Sequence, residues 1–173
     1  MTTYVALLYS IVLTKARRVV MADLKAVADG LGYANPRTVF ATGNLVFEAP
    51  EQSVSKIESA LETACAKVFG KHIDIIVRTA EGWRQLLAGN PFGGEDGSQL
   101  IVRVMRRPVT SEAMEALRAR VGGEQIAERH GDVWVRFAGK ASESRLLGLL
   151  TSQKMGTGTL RNLNTVRKIA DIL

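Results

Sequence analysis

Arg161, Asn162 and Asn164 stand close together near the end of the chain. A guanidinium and two amides at this spacing can orient a planar polar ligand through directed hydrogen bonds. The same groups can cap a following helix and tie the preceding loop to the core, and spacing alone leaves both roles open. A second cluster, Thr14-Lys15-Ala16-Arg17-Arg18, precedes a helical stretch. Free amides and cations there suit a phosphate or a carboxylate. A tight anion nest needs glycines, however, and none stands between Ser10 and Arg18. Arg17 and Arg18 therefore read first as solvated surface cations and second as a ligand site.

Enzyme signatures are sparse. His72 and His130 lie in different halves of the chain without a Glu or Asp at metal-ligand spacing, so no metal site and no cofactor is expected. Cys65 falls on the apolar stripe of a helix and reads as a small core residue. The chain has no phosphate-binding loop, dinucleotide fingerprint or nucleophile elbow. The segment His130-Gly131-Asp132-Val133-Trp134-Val135-Arg136-Phe137 shares a glycine, a valine and aromatics with the third strand of RNA-recognition modules. Asp132 stands where a base-stacking ring is wanted, so Trp134 reads instead as a packing residue between the two halves.

These groups need elements to hold them. Tyr4–Leu8 is continuously apolar and reads as a strand buried on both faces. Val20, Leu24, Val27, Ala28 and Leu31 recur at helical spacing, closed by Gly30 and Gly32. Arg37–Phe40 and Leu45–Glu48 form a hairpin around Thr42-Gly43-Asn44, with Gly43 and Asn44 supplying positive φ. Ser53–Phe69 is a helix with Val54, Ile57, Leu61, Cys65 and Val68 on one stripe, and His72–Arg78 alternates as a strand. The order is βαββαβ, the ferredoxin-like plait.

After a helix at Ala80–Ala88 and a Gly-rich loop the pattern restarts. Gln99–Met105 reads as a strand, Ser111–Val121 as a helix, and Gln125–Arg129 with Asp132–Phe137 as a hairpin. Ser142–Leu150 reads as a helix and Gly156-Thr157-Gly158-Thr159 as a link. A last helix starts near Thr165 with Asn164 as its cap. Thr42–Phe47 overlays His130–Val135, so the halves share a topology, although the second lacks a closing strand. The expected fold is α+β: a ferredoxin-like βαββαβ N-terminal half, then a related βαββα half and a C-terminal helix. The corresponding boundaries are 1–79, a helix and linker at 80–98, and 99–173.

Several of these segments together resemble a known family. Tyr4-Val5-Ala6-Leu7-Leu8, Met21-Ala22-Asp23-Leu24 and Thr42–Phe47 resemble the opening of the bacterial domain of unknown function 1697 family. Trp83 and Asn90-Pro91-Phe92 match its middle. Ser144-Arg145-Leu146 and Arg161-Asn162-Leu163-Asn164-Thr165-Val166 resemble its C-terminal signature, which usually has tryptophan where Leu163 stands. The resemblance implies a two-part α+β fold of ferredoxin-like character and no established activity. The family's first strand is usually followed by Arg-Gly-Ile-Asn-Val-Gly-Gly. Here Tyr9-Ser10-Ile11-Val12-Leu13-Thr14-Lys15 keeps only the isoleucine, so a role of that loop would be lost or altered.

Charge narrows the functional expectation. The chain has 173 residues, 46% hydrophobic and 23% charged, with a formal net charge of +6. That composition excludes disorder and low complexity. One cysteine excludes a disulfide framework and suits the cytoplasm. The apolar run Tyr4–Leu13 is too short for a membrane span, which takes about 20 residues. After residue 138, Lys140, Arg145, Lys154, Arg161, Arg167 and Lys168 face only Glu143 and Asp171. The leading expectation is a cytoplasmic protein that binds an anionic small molecule or a nucleic acid there, without catalysis or membrane attachment. Its binding residues would be Arg161, Asn162 and Asn164, with Arg17, Arg18 and Asn44. The alternative is an enzyme acting on a phosphorylated or carboxylated small molecule in a cleft between the two halves, where Arg17, Asn44 and Arg161 would converge. A third expectation is a homodimer paired through exposed sheet edges.

Overall fold

In the computed structural model, which describes residues 1–9, 19–94 and 96–173, the run Tyr4–Leu8 forms most of strand β1 (Thr2–Leu8). Every side chain from Tyr4 to Leu8 is buried, as an apolar run with no alternation requires. Helix α1 (Met21–Gly30) follows, then β2 (Ala34–Thr38), β3 (Asn44–Ala49), α2 (Val54–Phe69), β4 (Ile75–Thr79) and α3 (Ala80–Ala88). The strands form one antiparallel sheet in the order β2-β3-β1-β4, the ferredoxin-like arrangement. Leu24, Val27 and Ala28 of α1 and Ile57, Leu61 and Cys65 of α2 pack on one sheet face with Tyr4, Ala6, Leu8, Leu45, Phe47, Ile75 and Val77. Gly70 ends α2 in the left-handed conformation at φ 70°. Val54 and Val68, expected on the buried stripe, lie at the ends of α2 and are exposed.

The second sheet repeats the first. Strand β5 (Leu100–Met105), helix α4 (Ser111–Arg118), β6 (Gln125–Arg129) and β7 (Asp132–Arg136) lead to two 3₁₀ turns, at Ala141–Glu143 and Arg145–Gly148. A short helix α5 (Ser152–Met155), strand β8 (Gly158–Asn162) and helix α6 (Leu163–Ala170) complete it. Its order is β6-β7-β5-β8, again antiparallel. Met114 and Leu117 of α4 join Val133, Val135, Phe137, Leu146, Leu150 and Met155 in its core. By internal packing the chain divides into Met1–Arg84 with Lys168–Leu173, and Gln85–Arg167.

The structure corrects the sequence reading at several points. The second half does have a closing strand, β8, which begins within the stretch read as a link and runs on to Asn162. A Cβ on Gly158 would lie 2.8 Å from the Val104 carbonyl oxygen, so this glycine marks the close approach of two strands and not a flexible tether. In place of the helix expected at Ser142–Leu150 there are two 3₁₀ turns, with the short α5 following them. Ser144 and Thr151 each start a new turn, their hydroxyls accepting the N–H groups of Leu146 and Lys154. In the first hairpin the positive φ angles belong to Phe40 (56°) and Gly43 (76°), while Asn44 is the first residue of β3. In the second they belong to His130 (53°) and Gly131 (88°).

Strand register makes the internal repeat explicit. Val5 pairs with Val46 on one side and Arg78 on the other. Val102 pairs with Trp134 on one side and Arg161 on the other. The overlay of the two hairpins read from sequence puts Val46 against Trp134, which is the pairing that the register shows. Arg78 and Arg161 are therefore equivalent positions. Thr79 and Asn162 follow them, and α3 and α6 come next.

Candidate functional site

The Arg161–Asn164 segment is built by the turn from β8 into α6. The Asn162 side-chain oxygen accepts the Thr165 N–H at 2.9 Å, which makes Asn162, and not Asn164, the cap of α6. At the equivalent turn from β4 into α3, the Thr79 hydroxyl oxygen accepts the Gly82 N–H at 3.0 Å. Both caps reach three residues forward, so one capping device occurs twice in the chain. Asn164 is exposed and lies against Gly97, where a Cβ would fall 2.2 Å from the Asn164 side-chain oxygen. Gly97 in turn accepts the Leu163 N–H at 3.1 Å.

Arg161 is buried, with 8% of its surface exposed. Its guanidinium donates to the Thr159 hydroxyl and to the Leu160 carbonyl, both at 2.8 Å. Burial lowers its pKa to about 10, which leaves it charged at neutral pH. Arg78 makes the corresponding bond to the Val77 carbonyl at 3.3 Å. Asn44 is fully buried, and its side-chain nitrogen donates to the Val39 carbonyl at 2.8 Å and the Thr42 hydroxyl at 2.9 Å. Its equivalent in the second hairpin, Asp132, accepts the Met105 N–H at 2.7 Å. Asn44 lies in the first unit and Arg161, Asn162 and Asn164 in the second. Arg17 and Arg18 lie outside the described residues. Trp134 is 1% exposed, so its ring presents no face on which a base could stack.

Of the cations after residue 138, Lys140, Arg145, Lys154, Arg167 and Lys168 are exposed. Arg167 donates to the Gly94 carbonyl at 2.8 Å, and Lys140 stands 3.9 Å from Glu143. Arg145 lines a pocket of about 590 Å³ in the second unit, together with Arg120, Gly122, Glu124, Glu143 and Ser144. Glu124 accepts the Ser144 hydroxyl and the Gly122 N–H, bonds that hold its pKa below the usual glutamate value. Among the described residues neither Arg120 nor Arg145 makes an ion pair. Arg120 escaped the sequence reading because its cue is only a turn, Arg120-Val121-Gly122-Gly123, placed beside Arg145 by tertiary structure.

The first unit holds a cluster that the sequence reading missed. His72 Nε2 lies 2.9 Å from Asp74 Oδ1, and Glu62 reaches the same place from α2. The expectation that His72 lacks an acidic neighbour is thus corrected. Asp74 is two residues away in sequence, and Glu62 is brought in by the antiparallel return from α2 to β4. Glu62 and Glu58 also accept the Ile75 and Val77 N–H groups, each at 2.9 Å. Those bonds occupy the outer edge of β4, which is thereby less available for pairing with another chain.

Two antiparallel sheets of the same strand order, each leading into a helix capped at its first turn, define a tandem α+β protein of ferredoxin-like repeats. The chain belongs to the family described as a protein of unknown function (DUF1697), whose model matches residues 1–134. The match ends before Ser144 and Arg161. The chain is similar in structure to the conserved bacterial protein SP0830 from Streptococcus pneumoniae, with a TM-score of 0.78 and 22% identity. That likeness covers 100% of this chain and 98% of the other, and it shows the fold. No curated protein matches the chain. Among the described residues, no helix is long and apolar enough to cross a membrane.

Proposed function

We propose that this is a cytoplasmic protein that binds a small anionic ligand without turning it over, at the pocket lined by Arg120 and Arg145. The observation that carries this reading is the different engagement of the charges around that pocket. Glu143 stands near Lys140, and Glu124 is committed to Ser144 and Gly122. The two guanidiniums have no carboxylate partner among the described residues. A planar guanidinium offers a fork of donors to phosphate or carboxylate, which suits a ligand bearing either group. Arg145 belongs to the basic C-terminal stretch, so the reading gives part of the charge excess a defined place. The burial of Arg161 and the commitment of half-buried Asn162 to the Thr165 N–H favour a supporting role for them, with ligand contact left to exposed cations.

The test is calorimetric titration with inorganic phosphate, a nucleoside triphosphate and mixed RNA and DNA at low ionic strength. Binding is expected for at least one probe, weakening as salt is raised. The double variant Arg120→Ala/Arg145→Ala is expected to lose at least tenfold in affinity, while its circular dichroism stays unchanged. Absence of any salt-sensitive binding, or a double variant that binds as the parent does, overturns the reading.

A further inference from the structure

We propose that Glu62, His72 and Asp74 form a binding site for a divalent transition-metal ion, with zinc as the best match. One ligand atom from each residue lies within 4.8 Å of the other two. An ion held at about 2.0–2.2 Å from nitrogen and oxygen donors separates its ligand atoms by a little over 3 Å. His72 Nε2 and Asp74 Oδ1 are already 2.9 Å apart, so they need little movement to share an ion. In the bound form the imidazole is neutral, with Nε2 on the metal and its proton on Nδ1, so the hydrogen bond to Asp74 is given up for the ion.

Two of the three positions are held by groups outside the triad. The Ile75 N–H donates to Glu62 Oε1 at 2.9 Å, which orients that carboxylate beside the cluster. The Asp74 carbonyl accepts the Tyr9 N–H at 2.8 Å, which pins the backbone that carries the second carboxylate. Glu62 comes from a helix whose neighbouring turns, at Ile57, Leu61 and Cys65, are packed in the core. Ligands on such elements are held more closely than ligands on a free loop.

The donor set decides the class of ion. One imidazole and two carboxylates suit zinc and its first-row neighbours. Calcium asks for six to eight oxygens and magnesium for a near-octahedral oxygen shell. A cavity of about 560 Å³ adjoins the triad, lined by Ser59, Glu62, Thr63, Ala66, Lys67 and His72. It leaves room for water on the open side of the ion. His72 has 65% of its side chain exposed and Asp74 30%, so the ion reaches them without unfolding. This proposal is independent of the anion pocket, which lies in the other unit.

The experiment is titration of the full chain with zinc chloride in a non-coordinating buffer by calorimetry, repeated with cobalt(II) to read its visible absorption. One equivalent is expected to bind, and cobalt is expected to show the intense band of a low-coordinate site. His72→Ala, Asp74→Asn and Glu62→Gln are each expected to weaken binding at least tenfold. In Glu62→Gln the side-chain carbonyl can still accept the Ile75 N–H, so that variant tests the charge with the fold retained, as its circular dichroism will show. His130→Ala is the control and is expected to bind as the parent does. No binding of zinc at micromolar concentration overturns the proposal. So does binding that survives His72→Ala, or binding that is lost in His130→Ala.

Discussion

Replacing Asn162 by alanine separates its role as a cap from a role in holding ligand. The Asn162 oxygen satisfies one of the free amides in the first turn of α6, at 2.9 Å from Thr165 N. Loss of such a cap costs about 1 kcal/mol, within a range of roughly 0.5–2. For a chain of this length that corresponds to a fall in Tm of roughly 2–4 °C. Asn162→Asp keeps an acceptor at the same place and adds a negative charge at the positive end of the helix. It is therefore expected to match the parent or to gain about 0.3–1 kcal/mol. Thr79→Ala removes the matching cap of α3 and is expected to cost a similar amount, because the bond to Gly82 N is of similar length, 3.0 Å. The assay is urea unfolding, read as a change in midpoint at constant slope, alongside the phosphate and nucleotide titrations on the same variants. The reasoning is refuted if Asn162→Ala leaves the midpoint unchanged, or if Asn162→Asp is as destabilised as the alanine variant. A loss of ligand affinity at unchanged stability would assign the amide to the ligand and not to the helix.

Three other outcomes are expected. Gly131→Ala would place a Cβ 2.9 Å from both Cα and Cβ of Pro108 at a backbone φ of 88°, so a loss of about 1–3 kcal/mol is expected. Gly139→Ala, where nothing lies within 4 Å, serves as the comparison in the same thermal melts and should change stability little. Burial raises the Cys65 thiol to about 11, so it should react with a thiol-specific dye at pH 8 only when the chain is unfolded. A folded pKa above the unfolded value of 9.0 means that this contribution to stability is complete below pH 9 and lost as pH rises towards 11. Cys65→Ser should remove that part of the alkaline loss, as melting curves against pH will show.

The first sheet and its two helices were legible in the sequence because apolar spacing and glycine stops report local structure directly. The second sheet was legible only in part. Strand β8 was hidden by glycines, since a residue that lacks a Cβ in order to pass close to Val104 looks in sequence like one that lacks it in order to bend. The cap of α6 was placed two residues late because Asn162 and Asn164 have the same chemistry, and only the bond to Thr165 distinguishes them. Of the candidate site, the exposed cations were legible as composition. The pairing of Arg120 with Arg145 and of Glu62 with His72 depends on chain return and leaves no mark in local spacing. Arg161 looked accessible because arginine usually is, whereas its position across from Val102 buries it.

The first unit is discontinuous in sequence. Lys168–Leu173 belongs with Met1–Arg84, where Arg37 donates to the Ile172 carbonyl and Arg84 to the Leu173 carbonyl, each at 2.9 Å. A ribosome builds the chain in one direction, so the whole of Gln85–Arg167 emerges before the residues that finish the unit begun first. Arg37 and Arg84 therefore meet those carbonyls only after the whole of Gln85–Arg167 has been made. The bonds that join the two pieces of the first unit thus depend on residues made after the whole of the second.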